Sequence, residues 1–97
     1  MAIINKRIYI GKKRVEAMLI RLSGKNLIIL RGSKGYVMCG YLNLKVAEKF
    51  KDAAIKVVGV SSIDDALGSK VHALTSAARR LGVRRGQAVK EALKLIA

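Results

Sequence analysis

One cysteine, one histidine and six carboxylates are all that this sequence offers to nucleophilic, acid–base or metal chemistry. Cys39 follows the apolar run Tyr36 to Met38 and precedes Gly40, so its thiol sits at a strand exit where a ligand or partner could approach closely. A covalent role needs a base beside the sulfur, and His72 is the sole histidine. Helical spacing would group His72 with Ser69, Ser76 and Arg79, which reads as a solvated face. A free cysteine is also among the most buried residue types and packs like a small hydrophobe. Cys39 is therefore read first as core and kept as the single weak catalytic candidate.

The carboxylates have structural explanations. Asp64 and Asp65 stand three residues after Ser61 and Ser62, the spacing of a doubled capping box. Glu48 and Glu91 fall on exposed helical faces. No pair is placed for proton transfer. One cysteine and one histidine cannot form a thiolate or imidazole metal set within a chain, so neither metal nor cofactor is expected. Gly32-Ser33-Lys34-Gly35 lacks the long glycine spacing of a phosphate loop and precedes a strand, so it reads as a tight turn.

Charge is the larger signal. Twenty Lys and Arg against six Asp and Glu give a formal charge of +14 and a pI near 10.6. Such a field gathers polyanions, and nucleic acid is the first partner it suggests. Two clusters are candidates: Lys12, Lys13 and Arg14 in a hairpin turn, and Arg79, Arg80, Arg84 and Arg85 around Gly82 and Gly86. Arginine suits bidentate phosphate contacts. A helix, a glycine turn and a helix around the second cluster also resemble a helix-turn-helix. The aromatic residues are Tyr9, Tyr36, Tyr41 and Phe50, with Phe50 assigned to the core. So few disfavour a stacking platform for single strands, and contact is expected to be backbone-directed and weakly sequence-specific.

The elements that position these residues can be read from periodicity. Ile3 to Ile10 alternates, with Ile4, Ile8 and Ile10 on one face. Val15 to Leu22 and Leu27 to Leu30 follow, joined by the polar link Ser23 to Asn26. Both faces of these two strands look apolar, the pattern of strands covered on each side. A second copy is the expected cover, and a homodimer the expected form. Tyr36 to Met38 is a short strand. Asn43 is the N-cap of a helix through Phe50, with Val46, Ala47 and Phe50 as its buried stripe.

Ala54 to Val60 is a further strand, parallel to Tyr36 to Met38 across that helix. Val71, Leu74, Ala77, Ala78 and Leu81 predict one helix stopped by Gly82. Ala88, Val89, Ala92, Leu93 and Ile96 predict another. The fold class is α+β: an antiparallel sheet of about four strands, extended by a parallel crossover strand, with helices mainly on one face.

Ninety-seven residues, 52% of them apolar, suit one domain over 1–97 and argue against disorder. Lys6 and Arg7 interrupt the start before any signal-like apolar stretch, and no run approaches the length that crosses a bilayer. No membrane association is expected. A lone cysteine fits a reducing cytoplasm.

The stretches RGSKGYVMCGYLNLKVAEKF, DAAIKVVGVSSIDDALGSKV and LGVRRGQAVKEAL resemble the YunC-like family of uncharacterised archaeal and bacterial proteins. The resemblance runs from about Val15 to Leu93, and Tyr36, Cys39, Gly40, Tyr41 and Asn43 mark its most specific segment. It implies a small α+β fold and transfers no catalytic residue. The expected function is a non-enzymatic binding module whose basic surface engages nucleic acid or another polyanion. Two alternatives stand beside it: a small ligand-binding or catalytic protein centred on Tyr36 to Asn43 with Cys39, and a structural subunit of an oligomeric assembly.

Overall fold

In the computed structural model, which describes residues 3–40 and 42–97, six strands form one sheet in the order β1-β2-β3-β4-β5-β6. The strands are β1 (Ile3–Ile10), β2 (Lys13–Arg21), β3 (Asn26–Arg31), β4 (Tyr36–Met38), β5 (Ala54–Lys56) and β6 (Ala73–Leu74). The first four run antiparallel, β4 and β5 are parallel, and β6 closes the far edge antiparallel to β5. Helix α1 (Leu44–Lys49) makes the crossover; α2 (Ile63–Leu67), α3 (Ser76–Arg80) and α4 (Val89–Ile96) follow.

Alternation sorts the sheet into two faces. Val15, Ala17 and Leu19 of β2, Ile28 and Leu30 of β3, Val37 of β4 and Ile55 of β5 are buried on the inner face. Against them pack Ile63 and Ala66 of α2, Ala78 of α3, and Val89, Ala92, Leu93 and Ile96 of α4. The α4 residues recur at the spacing of one helical stripe, which is why this helix exists although Ala88 provides no side-chain cap. The outer face is covered only at one side. There α1 lays Ala47 over Met38 and Ala54, with Tyr36, Leu42 and Leu44 around them.

Among the described residues, no helix therefore lies over most of the outer face of β1–β3. Register aligns its side chains into rows. Ile3, Ile20 and Leu27 form one row; Asn5, Met18 and Ile29 the next; then Arg7, Glu16, Arg31 and Tyr36; and last Tyr9 beside Arg14. The face is thus divided: apolar toward the β2–β3 turn, and cationic with tyrosine toward the β1–β2 turn.

The helix expected over Val71–Leu81 is not continuous. Ala73 and Leu74 are extended and pair with Lys56 and Ile55. Thr75 then caps α3, its hydroxyl accepting from the N–H of Ala78 at 3.3 Å. Apolar positions at 71 and 74 serve an extended segment as well as a helix, and the edge pairing decided between them. The extension of β5 to Val60 also stops short, at Lys56. On α1 only Ala47 of the expected stripe is buried, with Val46 47% and Phe50 69% exposed. That helix ends after six residues, and Lys51, with φ of 63°, turns the chain sharply into β5.

Candidate functional site

Two regions can meet a partner, and they lie at opposite ends of the sheet. The first is beyond the carboxyl ends of the parallel strands. After Met38, the chain leaves β4 through Cys39 and Gly40; after Lys56 it leaves β5 toward Gly59, Val60 and Ser61. The β2–β3 turn supplies the remaining wall, with Leu22, Lys25 and Asn26, around a cleft of about 810 Å³. Asn26 holds the walls together: its Nδ2 donates to the carbonyl of Ser61 at 2.7 Å. Sheets with parallel strands commonly offer ligand sites outside those ends, where the chain diverges to different layers.

Cys39 lies at the base of this cleft and is only 3% exposed. Its sulfur accepts the backbone N–H of Ile28 at 3.4 Å, while its own N–H donates to the carbonyl of Ile28. The thiol is therefore packed between β3 and β4 as part of the core. Gly40 is exposed, and a Cβ there would meet nothing within 4 Å, so no protein contact demands glycine at this position. Tyr41 lies outside the described residues. Asn43 caps α1 through its Oδ1, which accepts from the N–H of Lys45 at 2.9 Å.

At the other end of the parallel pair, the Tyr36 hydroxyl donates to Oδ2 of Asp52 at 2.9 Å. Partial burial, together with that hydrogen bond and the nearby negative charge, pushes the Tyr36 hydroxyl up to about 12. It is thereby a firm structural donor at neutral pH. Tyr36 and Cys39 share one segment but point to different surroundings.

The second region is the cationic end. Of the three residues expected in the β1–β2 turn, only Lys12 lies there; Lys13 and Arg14 already pair with Ile10 and Tyr9 as the first residues of β2, because the turn is only two residues long, and all three are exposed. Register brings Arg7 and Arg31 to either side of Glu16, and Arg31 pairs with Glu16 at 3.0 Å. A shallow groove of about 410 Å³ runs between Arg14, Glu16, Arg31, Gly32 and Ser33. Lys34 lies in the same β3–β4 turn, and its N–H donates to the carbonyl of Ile96. Arg7 and Arg31 were absent from the sequence-derived cluster because they come from different strands.

Arg79, Arg80, Arg84 and Arg85 are exposed as well, but on another part of the molecule. Helix α3 contacts β5, near the edge opposite β1. The two basic clusters are not merged into one patch. Nor is a helix-turn-helix formed: residues 81–88 separate α3 from α4, and the apolar stripe of α4 is buried in the core. Gln87 instead braces this loop, its Oε1 accepting from the N–H of Arg84 at 3.1 Å.

The carboxylates serve the frame. Asp65 accepts the N–H and hydroxyl of Ser61, which hold its carboxyl below the usual range, while Ser62 accepts from the N–H of Asp65. Glu48 accepts the hydroxyl and N–H of Ser76, the first residue of α3, and these bonds hold it low too. That link between α1 and α3 was hidden in a residue assigned to a free surface. His72 is exposed, on extended chain rather than a helix. Among the described residues, no three His, Cys, Asp or Glu side chains come together. No described helix is long and apolar enough to cross a membrane.

The crossover helix, β5, the Cys39–Gly40 and Gly59–Ser61 walls of the cleft and α2–α4 fall within residues 38–96, and this stretch matches the family described as Domain of unknown function (DUF1805). The chain belongs to this family. It is 35% identical over 81 residues to the uncharacterized protein YunC of Bacillus subtilis (strain 168), covering 79% of this chain and 80% of that one. The crystal structure of TA1206, a protein of unknown function from Thermoplasma acidophilum, superposes with a TM-score of 0.95 at 32% identity. That likeness covers 99% of this chain and 94% of the other. The expected YunC-like family and its α+β fold are thus both found.

Proposed function

We propose that this protein is a non-enzymatic, cytoplasmic binding module whose cationic surface engages nucleic acid or another polyanion. The observation that carries this reading is uncompensated charge. A formal charge of +14 is distributed over exposed side chains, and among the described residues only the Arg31–Glu16 and Lys94–Glu91 ion pairs form. Self-repulsion of this size opposes the compact state, and a bound polyanion relieves it while releasing condensed counterions. Fluorescence polarisation with a DNA duplex and an RNA hairpin across a salt series tests the reading. Contact with about five phosphates gives a log–log slope of roughly −4 to −5 for the duplex. Affinity that disappears near physiological salt would reduce the charge to background.

A second reading rests on the cleft beside Cys39. Its size and its place beyond the parallel strand ends suit a small ligand, with Lys25 and Asn26 as polar contacts and Leu22 and Val60 as apolar ones. A ligand at 100 times its Kd would stabilise the fold by about 2.7 kcal/mol, which a thermal-shift screen detects. The homodimer belongs to the proposal too. Its expected interface is the apolar half of the outer face, around Ile3, Met18, Ile20, Leu27 and Ile29, leaving the cationic rows open. A monomer in light scattering at micromolar concentration would remove it.

A further inference from the structure

We propose that the polyanion is a single-stranded nucleic acid, and that it lies across the open sheet face over β1–β3 rather than on the Arg79–Arg85 loop. This rests on the polyanion reading above and narrows it to one surface and one ligand class. Three observations support it.

First, strand register gathers cations from separate sequence segments. Arg7, Arg14 and Arg31 share the outer face, and Lys12 and Lys34 lie in the two turns at the same end. Glu16 is the one carboxylate in the rows, and it is tied to Arg31 at 3.0 Å, which orients that guanidinium. Secondly, the groove between Arg14 and Arg31 gives a backbone a track with forked donors on both sides. Thirdly, Tyr9 is 64% exposed and directly opposite Arg14, so an aromatic plane stands beside a phosphate donor. Phe50, 69% exposed, follows α1 on the same side of the sheet.

The pairing of these groups selects the ligand. A duplex presents phosphates and hides its base faces, so Tyr9 would gain nothing from it. An unpaired strand offers both, and base–aromatic stacking is tolerant of sequence. The row from Arg7 through Glu16 and Arg31 to Tyr36 spans three strand spacings, about 14 Å, room for a few extended nucleotides. The scarcity of aromatic residues argued against such a platform from sequence. Placement reverses that argument, because the exposed Tyr9 stands directly beside Arg14 at the end of the arginine rows.

The test is fluorescence polarisation with fluorescein-labelled oligothymidylate of about twelve nucleotides, and with a duplex of equal length, across a salt series. Arg7→Gln/Arg14→Gln weakens single-strand binding at least about tenfold and makes the salt slope shallower by about 1.4. Tyr9→Ala weakens it about fivefold or more with the slope unchanged. Replacing Arg79, Arg80, Arg84 and Arg85 together by Gln leaves the residual affinity within the effect of lowered net charge. All of these residues are exposed, and unchanged thermal melting confirms that each variant folds. Equal or tighter binding to the duplex overturns the proposal. So does loss that follows the Arg79–Arg85 set while Arg7→Gln/Arg14→Gln binds normally, an outcome that would keep the polyanion reading intact. Failure of the wild-type protein to bind either probe would overturn this proposal together with the nucleic-acid reading it rests on.

Discussion

Thr75→Val isolates the junction that sets α3 and its arginines against the sheet. Thr75 is 1% exposed, and its hydroxyl makes three bonds. It donates to the carbonyl of Asp52 at 2.6 Å and accepts the N–H of Ala54 at 3.0 Å and that of Ala78 at 3.3 Å. Valine keeps the shape and removes the oxygen, leaving a buried donor at the start of β5, a carbonyl before it and an uncapped first turn of α3. An orphaned buried group costs about 1–3 kcal/mol and a lost N-cap about 1 kcal/mol. The junction should therefore lose about 2–4 kcal/mol. For a domain of this size that lowers the melting temperature by at least about 8 °C. Thr75→Ser retains the oxygen and loses one methyl group, at about 1 kcal/mol. Urea unfolding of both variants provides the measurement. A valine variant within about 0.5 kcal/mol of wild type, or a serine variant as damaged as the valine one, would refute the account.

Three further outcomes are expected. Gly32→Ala destabilises by about 1–3 kcal/mol or more in urea unfolding, because its Cβ would lie 2.3 Å from the backbone oxygen of Ile96 and neither backbone can yield easily. Acidification below the ordinary carboxylate range lowers the unfolding free energy. Hydrogen bonds from Ser76 and Ser61 hold Glu48 and Asp65 low, so the unfolded chain takes up protons first, and their contribution is complete only above that range; Glu48→Gln should flatten the profile. Cys39 stays unmodified by iodoacetamide in the folded protein and reacts once urea unfolds it, since it is 3% exposed. Rapid native alkylation would restore its candidacy as a nucleophile.

The local features of this fold are the ones its sequence displays. Alternation marked β1, branched apolar runs between polar turns marked β2 to β4, Asn43 and Ser62 declared their helix starts, and the apolar stripe of α4 announced its buried side. What escaped notice depends on distant partners. Ala73 and Leu74 become a strand only because β5 offers an edge. Val46 and Phe50 have the right spacing for burial, yet a six-residue helix over one side of the sheet leaves them in solvent. The cationic rows lay between these cases. The tight β1–β2 turn fixes Ile10 opposite Lys13, and counting back from it places Arg7 beside Glu16. Arg31 joins them only when the β2–β3 register is known as well. Glu48 gave no sign of its role, since the bond it accepts comes from a residue 28 positions away.

The eight-residue strand β1 borders the sheet, so one side of its backbone has no strand partner among the described residues. Exposed Ile3 and Ile4 make that border adhesive, whereas Lys6 and Arg7 at its middle set two such strands against each other when they approach in register. This safeguard acts through charge and is only as strong as the ionic atmosphere permits. Its reach shrinks from about 8 Å in physiological salt to about 3 Å in 1 M salt. Brine of that strength during purification would silence the same repulsion. Clean protein would then be prone to anneal border to border, turning a gain in purity into a loss of solubility.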